Sequence, residues 1–70
     1  MLTVKEFLDM FVDNYQLFRL YDIESYDYLL NTEHEGIFAE DISPEYYDYR
    51  IESLDCVDKH GALCLNISNN

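Results

Sequence analysis

The sequence predicts an α+β domain in which one N-terminal helix packs on an antiparallel sheet of about four strands. Two patterns carry this prediction. Apolar residues recur at three-to-four spacing after Thr3, which is typical of an amphipathic helix. They recur at every second position in Arg50–Asp58 and Ala62–Ser68, which is typical of paired strands. A chain of 70 residues predicts a single domain over residues 1–70, near the size at which one core is just sufficient.

The helix is predicted to begin at Thr3, because Thr3 and Glu6 have the spacing of a capping box. Its end is predicted at Asp13-Asn14, since Asn tolerates the left-handed conformation that follows a helix. The residues of its apolar stripe are Val4, Phe7, Leu8, Phe11 and Val12. This stripe is expected to cover one face of the sheet.

The first two strands are predicted from runs of aromatic and aliphatic residues. Tyr15–Tyr21 forms the first strand, and Tyr26–Asn31 returns antiparallel to it after a polar turn at Asp22–Ser25. The polar stretch Asn31–Gly36 is interpreted as a bulge or loop inside the second strand, which resumes at Ile37–Ala39.

A short helical turn is predicted at Ser43-Pro44-Glu45, because Ser is a good cap and Pro is tolerated at the first helical position. The turn precedes the third strand, which is expected to open near Tyr49 and to lead into the C-terminal hairpin. Asp58-Lys59-His60-Gly61 has the composition of the turn that closes this hairpin.

The hairpin register decides whether the two cysteines face each other. A three-residue loop would place Cys56 opposite Cys64, whereas a four-residue loop pairs Leu54 with Leu65 and Cys56 with Leu63. The second register buries more apolar surface and is preferred, so no disulfide is expected.

The charge balance is strongly acidic, with 15 Asp and Glu against 4 Lys and Arg and a formal net charge of −11. This balance argues against direct binding of nucleic acid or anionic lipid, which depends on basic side chains. It predicts a basic protein partner. The alternative is that the acids only keep a small protein soluble.

Neither a signal peptide nor a membrane span is apparent, so a cytoplasmic protein that does not bind a membrane is expected. Cys56, His60 and Cys64 are ligand types that zinc accepts, but a structural zinc site needs four ligands and these three flank a turn. No metal and no cofactor are therefore expected. A Gly-rich phosphate loop is missing and no serine has a nearby histidine in the sequence, which predicts that the protein is not an enzyme.

The candidate binding segment is Glu40–Tyr49, where acids alternate with tyrosines. Tyr is favoured at protein interfaces, and carboxylates steer towards a basic partner. The candidate residues in this segment are Glu40, Asp41, Glu45, Tyr46, Tyr47, Asp48 and Tyr49. With Asp22, Glu24 and Asp27 at the first turn, they predict an acidic face whose charge spacing resembles a phosphate backbone. The alternative is that the three tyrosines only pack the edge of the sheet.

A second hypothesis for function is a structural or regulatory homo-oligomerisation module, in which an uncovered sheet face pairs with a copy of itself. The contact residues would then be Leu17, Tyr21, Tyr28 and Leu30. In this interpretation the acids serve solubility alone.

Four segments carry a resemblance to a known group: Thr3-Val-Lys-Glu-Phe-Leu, Phe18-Arg-Leu-Tyr-Asp22, Gly36 ahead of Asp41-Ile-Ser-Pro-Glu-Tyr, and Leu63-Cys-Leu-Asn-Ile67. Together they resemble short acidic uncharacterised proteins of phages and mobile elements of Gram-positive gut bacteria. The resemblance implies no known active site. Its setting implies inhibition of host defence in a bacterial cytoplasm, as by small anti-CRISPR or anti-restriction proteins. The net charge and the Tyr-acid segment, and not the resemblance, predict a non-enzymatic DNA mimic whose acidic face occupies the basic site of a nucleic-acid-handling enzyme.

Overall fold

Two parallel strands lie side by side at the centre of the sheet in the computed structural model, which describes residues 2–10, 15–55, 57, 59 and 61–69. The described elements are helix α1 (Val4–Met10) and strands β1 (Leu17–Asp22), β2 (Asp27–Leu29), β3 (Ile37–Phe38), β4 (Arg50–Leu54) and β5 (Ala62–Ser68). The central pair is β1 and β5. Strands β2 and β3 pair with the outer edge of β1, and β4 pairs with β5.

The predicted antiparallel sheet is wrong in one respect: the sheet is mixed, because β1 and β5 are parallel. Its other pairings are antiparallel. Parallel neighbours need a long crossover connection, which residues 23–61 provide. Five strands are described instead of about four, and the α+β class with one described α-helix is confirmed.

The core lies on the sheet face that carries Phe18 and Leu20 of β1. Leu65 of β5 pairs with Leu20 in register and shares this face. The ring of Phe7 from α1 meets the ring of Phe18 edge-on, with 6.1 Å between centroids. The buried cluster consists of Val4, Phe7, Phe18, Leu20, Ile42, Leu65 and Ile67.

The predicted capping box at the start of α1 is confirmed. The Thr3 backbone N–H donates to Glu6 Oε1 at 3.0 Å, and the Glu6 N–H donates to Thr3 Oγ1 at 3.2 Å. These bonds, the first of them most strongly, hold the pKa of Glu6 below its ordinary value. The predicted end of the helix at Asp13-Asn14, with Phe11 and Val12, lies outside the described residues. None of the described helices has the length and apolar character needed to cross a membrane.

The predicted interruption of the second strand is confirmed, since β2 and β3 pair with different halves of β1. The predicted resumption at Ile37–Ala39 is one residue too long, because β3 ends at Phe38 and Ala39 begins a 3-10 turn. The buried Thr32 side chain fills the gap between them. Its Oγ1 accepts the N–H of Leu20 at 3.0 Å and donates to the carbonyl of Leu29 at 2.8 Å. Leu30 and Asn31 turn the chain out of β2 with φ of 56° and 54°.

The C-terminal hairpin has the predicted register where the structure describes it, since Leu54 pairs with Leu65. A register shift between Ile51 and Ser53, which the sequence did not predict, makes Glu52 the extra residue of a β-bulge. The turn residues Cys56, Asp58 and His60 lie outside the described residues, as does the predicted pairing of Cys56 with Leu63.

Candidate acidic interface

The segment Glu40–Tyr49 is built from two short 3-10 turns, Ala39–Asp41 and Pro44–Tyr46, as the Ser-Pro signal predicted for the second. Ser43 precedes that turn but makes no capping bond with its side chain. Ile42, between the two turns, is buried in the core. This anchor fixes the segment and leaves its four carboxylates, those of Glu40, Asp41, Glu45 and Asp48, exposed.

The three tyrosines of this segment lie against the core and are only half-buried. Tyr46 and Tyr49 meet edge-on with 5.2 Å between ring centroids. The ammonium of Lys5 lies 5.8 Å from the centre of the Tyr47 ring. The tyrosines therefore pack against the core, and each residue keeps part of its surface exposed to solvent.

The acids of the first turn are held by backbone groups. Asp22 and Asp27 face each other across the β1–β2 hairpin. The Glu24 N–H donates to Asp22 Oδ1 at 3.0 Å, and the Tyr28 N–H donates to Asp27 Oδ1 at 2.9 Å. Glu24 in turn accepts the N–H of Asn69 at 2.8 Å. These hydrogen bonds fix the positions of the three carboxylates at the first turn.

The pKa of Tyr46 is affected by an acid from each of the two acidic segments. Burial raises the pKa of Tyr46, and the negative charge of Glu45, a hydrogen bond to Glu45, and the nearby Tyr49 and Asp22 raise it further. Negative charge from the first turn and from the Glu40–Tyr49 segment therefore reaches the same phenol. We use the name Tyr46 acidic surface for the candidate residues of the two segments together, which are Asp22, Glu24, Asp27, Glu40, Asp41, Glu45, Tyr46, Tyr47, Asp48 and Tyr49.

The chain supplies no cation of its own within these segments. Between Arg19 and Arg50 the sequence contains nine acids and neither Lys nor Arg. Three of the four basic residues have their own contacts: Lys5 Nζ with Asp9 Oδ1 at 2.6 Å, Arg50 Nε with Glu52 Oε1 at 2.8 Å, and Arg19 Nη2 with the carbonyl oxygens of Glu33 and of His34. Among the described residues, Lys5 and Arg50 thus pair with acids outside the two segments, and Lys5 also lies beside the Tyr47 ring.

The opposite sheet face carries part of the set predicted for self-association. Leu17, Tyr21 and Tyr28 lie there, and the rings of the two tyrosines meet edge-on at 5.0 Å. The guanidinium of Arg19 lies 5.7 Å from the centre of the Tyr28 ring. Leu30 does not extend this face, because its positive φ takes it out of the strand and its side chain packs against the core.

Two exposed apolar residues at the first turn escaped the sequence analysis. Ile23 is 37% exposed and Tyr26 is 81% exposed. Tyr26 was predicted to begin the second strand, whereas it lies in the turn that precedes β2. The signal that could have found it is the polar context of Ser25-Tyr26-Asp27, which is as typical of a turn as of a strand.

Within the described residues, no group of three or more His, Cys, Asp or Glu side chains lies close enough together to hold a metal ion. Cys64 is buried on β5, and Cys56 and His60, the other two ligand types that zinc accepts, lie outside the described residues. Comparisons with protein families, with curated proteins and with solved structures found no match to this chain.

Proposed function

We propose that this chain is a small non-enzymatic binding protein whose Tyr46 acidic surface occupies the basic nucleic-acid site of a nucleic-acid-handling protein. The observation that carries the proposal is the core-anchored segment Glu40–Tyr49, on which four carboxylates are exposed beside three half-buried tyrosines. The charges of Asp22 and Glu45 also both raise the pKa of Tyr46, so negative charge from the first turn reaches this segment. Carboxylates on such a surface stand where phosphates would stand in the partner's site, and the partner's Lys and Arg side chains are their natural contacts.

The resemblance of the sequence to phage and mobile-element proteins gives the proposal its setting. The partner is then a bacterial defence protein, such as a Cas effector or a restriction enzyme, in the host cytoplasm. Competition with DNA or RNA for a shared site is the mechanism. It requires no catalysis, cofactor or membrane.

The first test is capture from a bacterial lysate on the immobilised protein. We expect it to retain a nucleic-acid-handling protein that an added DNA oligonucleotide releases. The charge variant Glu40→Gln, Asp41→Asn, Glu45→Gln, Asp48→Asn should retain at least about tenfold less of it, because carboxylates that meet cations in an interface determine both encounter and specificity.

The matched control removes four exposed acids outside the surface: Asp9→Asn, Glu33→Gln, Glu35→Gln and Asp55→Asn. Both variants lose the same number of charges from a net charge of −11, so only the location differs. The control should retain the partner. If both variants retain equally little of the partner, capture depends on overall charge and not on this surface. Recovery of the bait alone would contradict the proposal.

A second candidate function is homo-oligomerisation through the sheet face opposite the core. The specific observation in its favour is the Tyr21–Tyr28 ring pair, which stands on that face beside Leu17. Sedimentation at increasing protein concentration separates the two candidates, since a DNA mimic can act as a monomer. A dimer that the wild type forms as its concentration rises, and that the double variant Tyr21→Ser, Tyr28→Ser does not form, would favour homo-oligomerisation.

A further inference from the structure

The tip of the β1–β2 turn presents two apolar side chains to solvent beside the acids of the first turn. Tyr26 is 81% exposed and Ile23 is 37% exposed. Asp22, Glu24 and Asp27 surround them in the sequence. An aromatic and an aliphatic side chain among carboxylates give this tip both apolar and electrostatic contacts to offer.

The turn is fixed before any partner arrives. The Ile23 N–H donates to the carbonyl of Ile67 at 3.0 Å, which ties the turn to the central strand β5. The Glu24 N–H donates to Asp22 Oδ1, and Glu24 Oε1 accepts the N–H of Asn69. A preorganised loop loses little conformational entropy on binding, so contacts made by its tip add to affinity efficiently.

Tyr26 holds an unusual backbone conformation for its residue type. Its φ is 58°, in the left-handed region that Gly and Asn adopt far more readily than an aromatic residue. This backbone conformation is energetically unfavourable for a tyrosine, and the exposed Tyr26 ring makes little packing contact within the chain that could offset it. Residues strained in this way cluster at sites of ligand binding.

We propose that Tyr26 and Ile23 form an apolar anchor that inserts into the partner's nucleic-acid site in the position of a nucleobase, while the neighbouring carboxylates take the positions of phosphates. This inference rests on the proposed function and adds a contact type to it. Sites for unpaired nucleic acid combine cationic grooves with aromatic or apolar platforms on which bases stack. The charge of the turn selects such a basic partner, and a phenol ring matches the flat shape of a base.

The test measures binding of the DNA-releasable protein that the wild-type chain recovers from the lysate, once purified. Tyr26→Asn should raise the Kd at least about tenfold, which is about 1.4 kcal/mol. Asn adopts the left-handed conformation readily, so the turn should be preserved and thermal stability should not fall. Tyr26→Phe, which keeps the ring, should bind within about threefold of the wild type.

Tyr15 provides the matched control, since it is 86% exposed and lies at the other end of β1. Tyr15→Asn should leave the Kd unchanged. If Tyr26→Asn also binds like the wild type while the charge variant does not, the acidic surface stands and the anchor is refuted. If the wild type recovers no DNA-releasable protein, the proposed function fails and the anchor with it.

Discussion

Asp22 and Asp27 stand directly opposite each other across the first hairpin. Like charges in opposing positions of an antiparallel pair destabilise it. Each carboxylate accepts a backbone N–H, from Glu24 and Tyr28 respectively, and these bonds offset part of the repulsion. The hairpin therefore keeps two negative charges together at a cost in stability, which is the arrangement that a charge-displaying surface requires.

We predict that Asp27→Asn stabilises the protein. The amide oxygen can still accept the Tyr28 N–H, whereas the repulsion with Asp22 is gone, so the free energy of unfolding should rise by about 0.2–1 kcal/mol. Urea denaturation at low ionic strength measures it, and added salt should shrink the gain by screening the wild-type repulsion. Glu35→Gln, an exposed acid outside the hairpin, is the control; an equal gain there would point to net charge instead.

Those parts of the fold that follow from local chemistry were predictable. Thr3 and Glu6 form the predicted capping box because both partners are three residues apart in one turn of helix. The pairing of Leu54 with Leu65 follows from turn length and from alternating apolar residues. Both features are set by residues within one helical turn or one hairpin, so the sequence alone is enough to predict them.

The parallel pairing of β1 with β5 could not be read from local pattern, because it joins residues on either side of a long crossover. The burial pattern of β5 is typical of a central strand, because Cys64 and Leu65 are buried on opposite faces of the sheet. The candidate site was likewise predictable only in part. Its acids were visible in the sequence, but the effect of the Asp22 charge on Tyr46, which is distant in the chain, depends on tertiary structure.

We predict that Thr32→Val destabilises the protein by about 1–3 kcal/mol, because it leaves the Leu20 N–H and the Leu29 carbonyl without the hydroxyl that joins them. Valine has nearly the same shape, so lost packing contributes little. Thr32→Ser keeps the hydroxyl and should cost about 0.8 kcal/mol for one buried methyl group. Chemical denaturation ranks the two, and a larger loss in the serine variant would refute the role of the hydroxyl.

We predict that Gly36→Ala is more harmful than Gly61→Ala, although the two glycines have nearly the same φ, 84° and 82°. A Cβ at Gly36 would stand 2.7 Å from the carbonyl oxygen of Phe18, whereas a Cβ at Gly61 meets nothing within 4 Å. Both variants pay about 1–2 kcal/mol for the left-handed backbone. Only Gly36→Ala adds about 1–3 kcal/mol of overpacking.

The free energy of unfolding of the two alanine variants, measured side by side in urea, tests this. Equal losses would mean that the chain beside Gly36 moves aside at no cost. A larger loss for Gly61→Ala would contradict the close approach of Gly36 to β1.

The stability of the protein should depend on pH through Glu52, the extra residue of the β-bulge. Ser68 Oγ donates to Glu52 Oε1 at 2.8 Å, and Arg50 Nε donates to the same oxygen at 2.8 Å. These bonds, that of Ser68 first, hold the pKa of Glu52 below its ordinary value of 4.5. The unfolded chain therefore takes up the proton at a higher pH than the folded one. The stabilisation is fully present above about pH 4.5 and is lost as the pH falls through the folded pKa.

Ser68→Ala should thus be destabilised most near neutral pH, and its difference from the wild type should narrow as the pH falls below 4.5. Ser53→Ala is the matched control on the same hairpin, because Ser53 Oγ accepts from Asn66 Nδ2 and contacts no carboxylate through that bond. Its difference from the wild type should stay level with pH. Urea titrations of the three proteins between pH 7 and pH 3 measure both differences, and a level difference for Ser68→Ala would refute the coupling of Ser68 to the Glu52 charge.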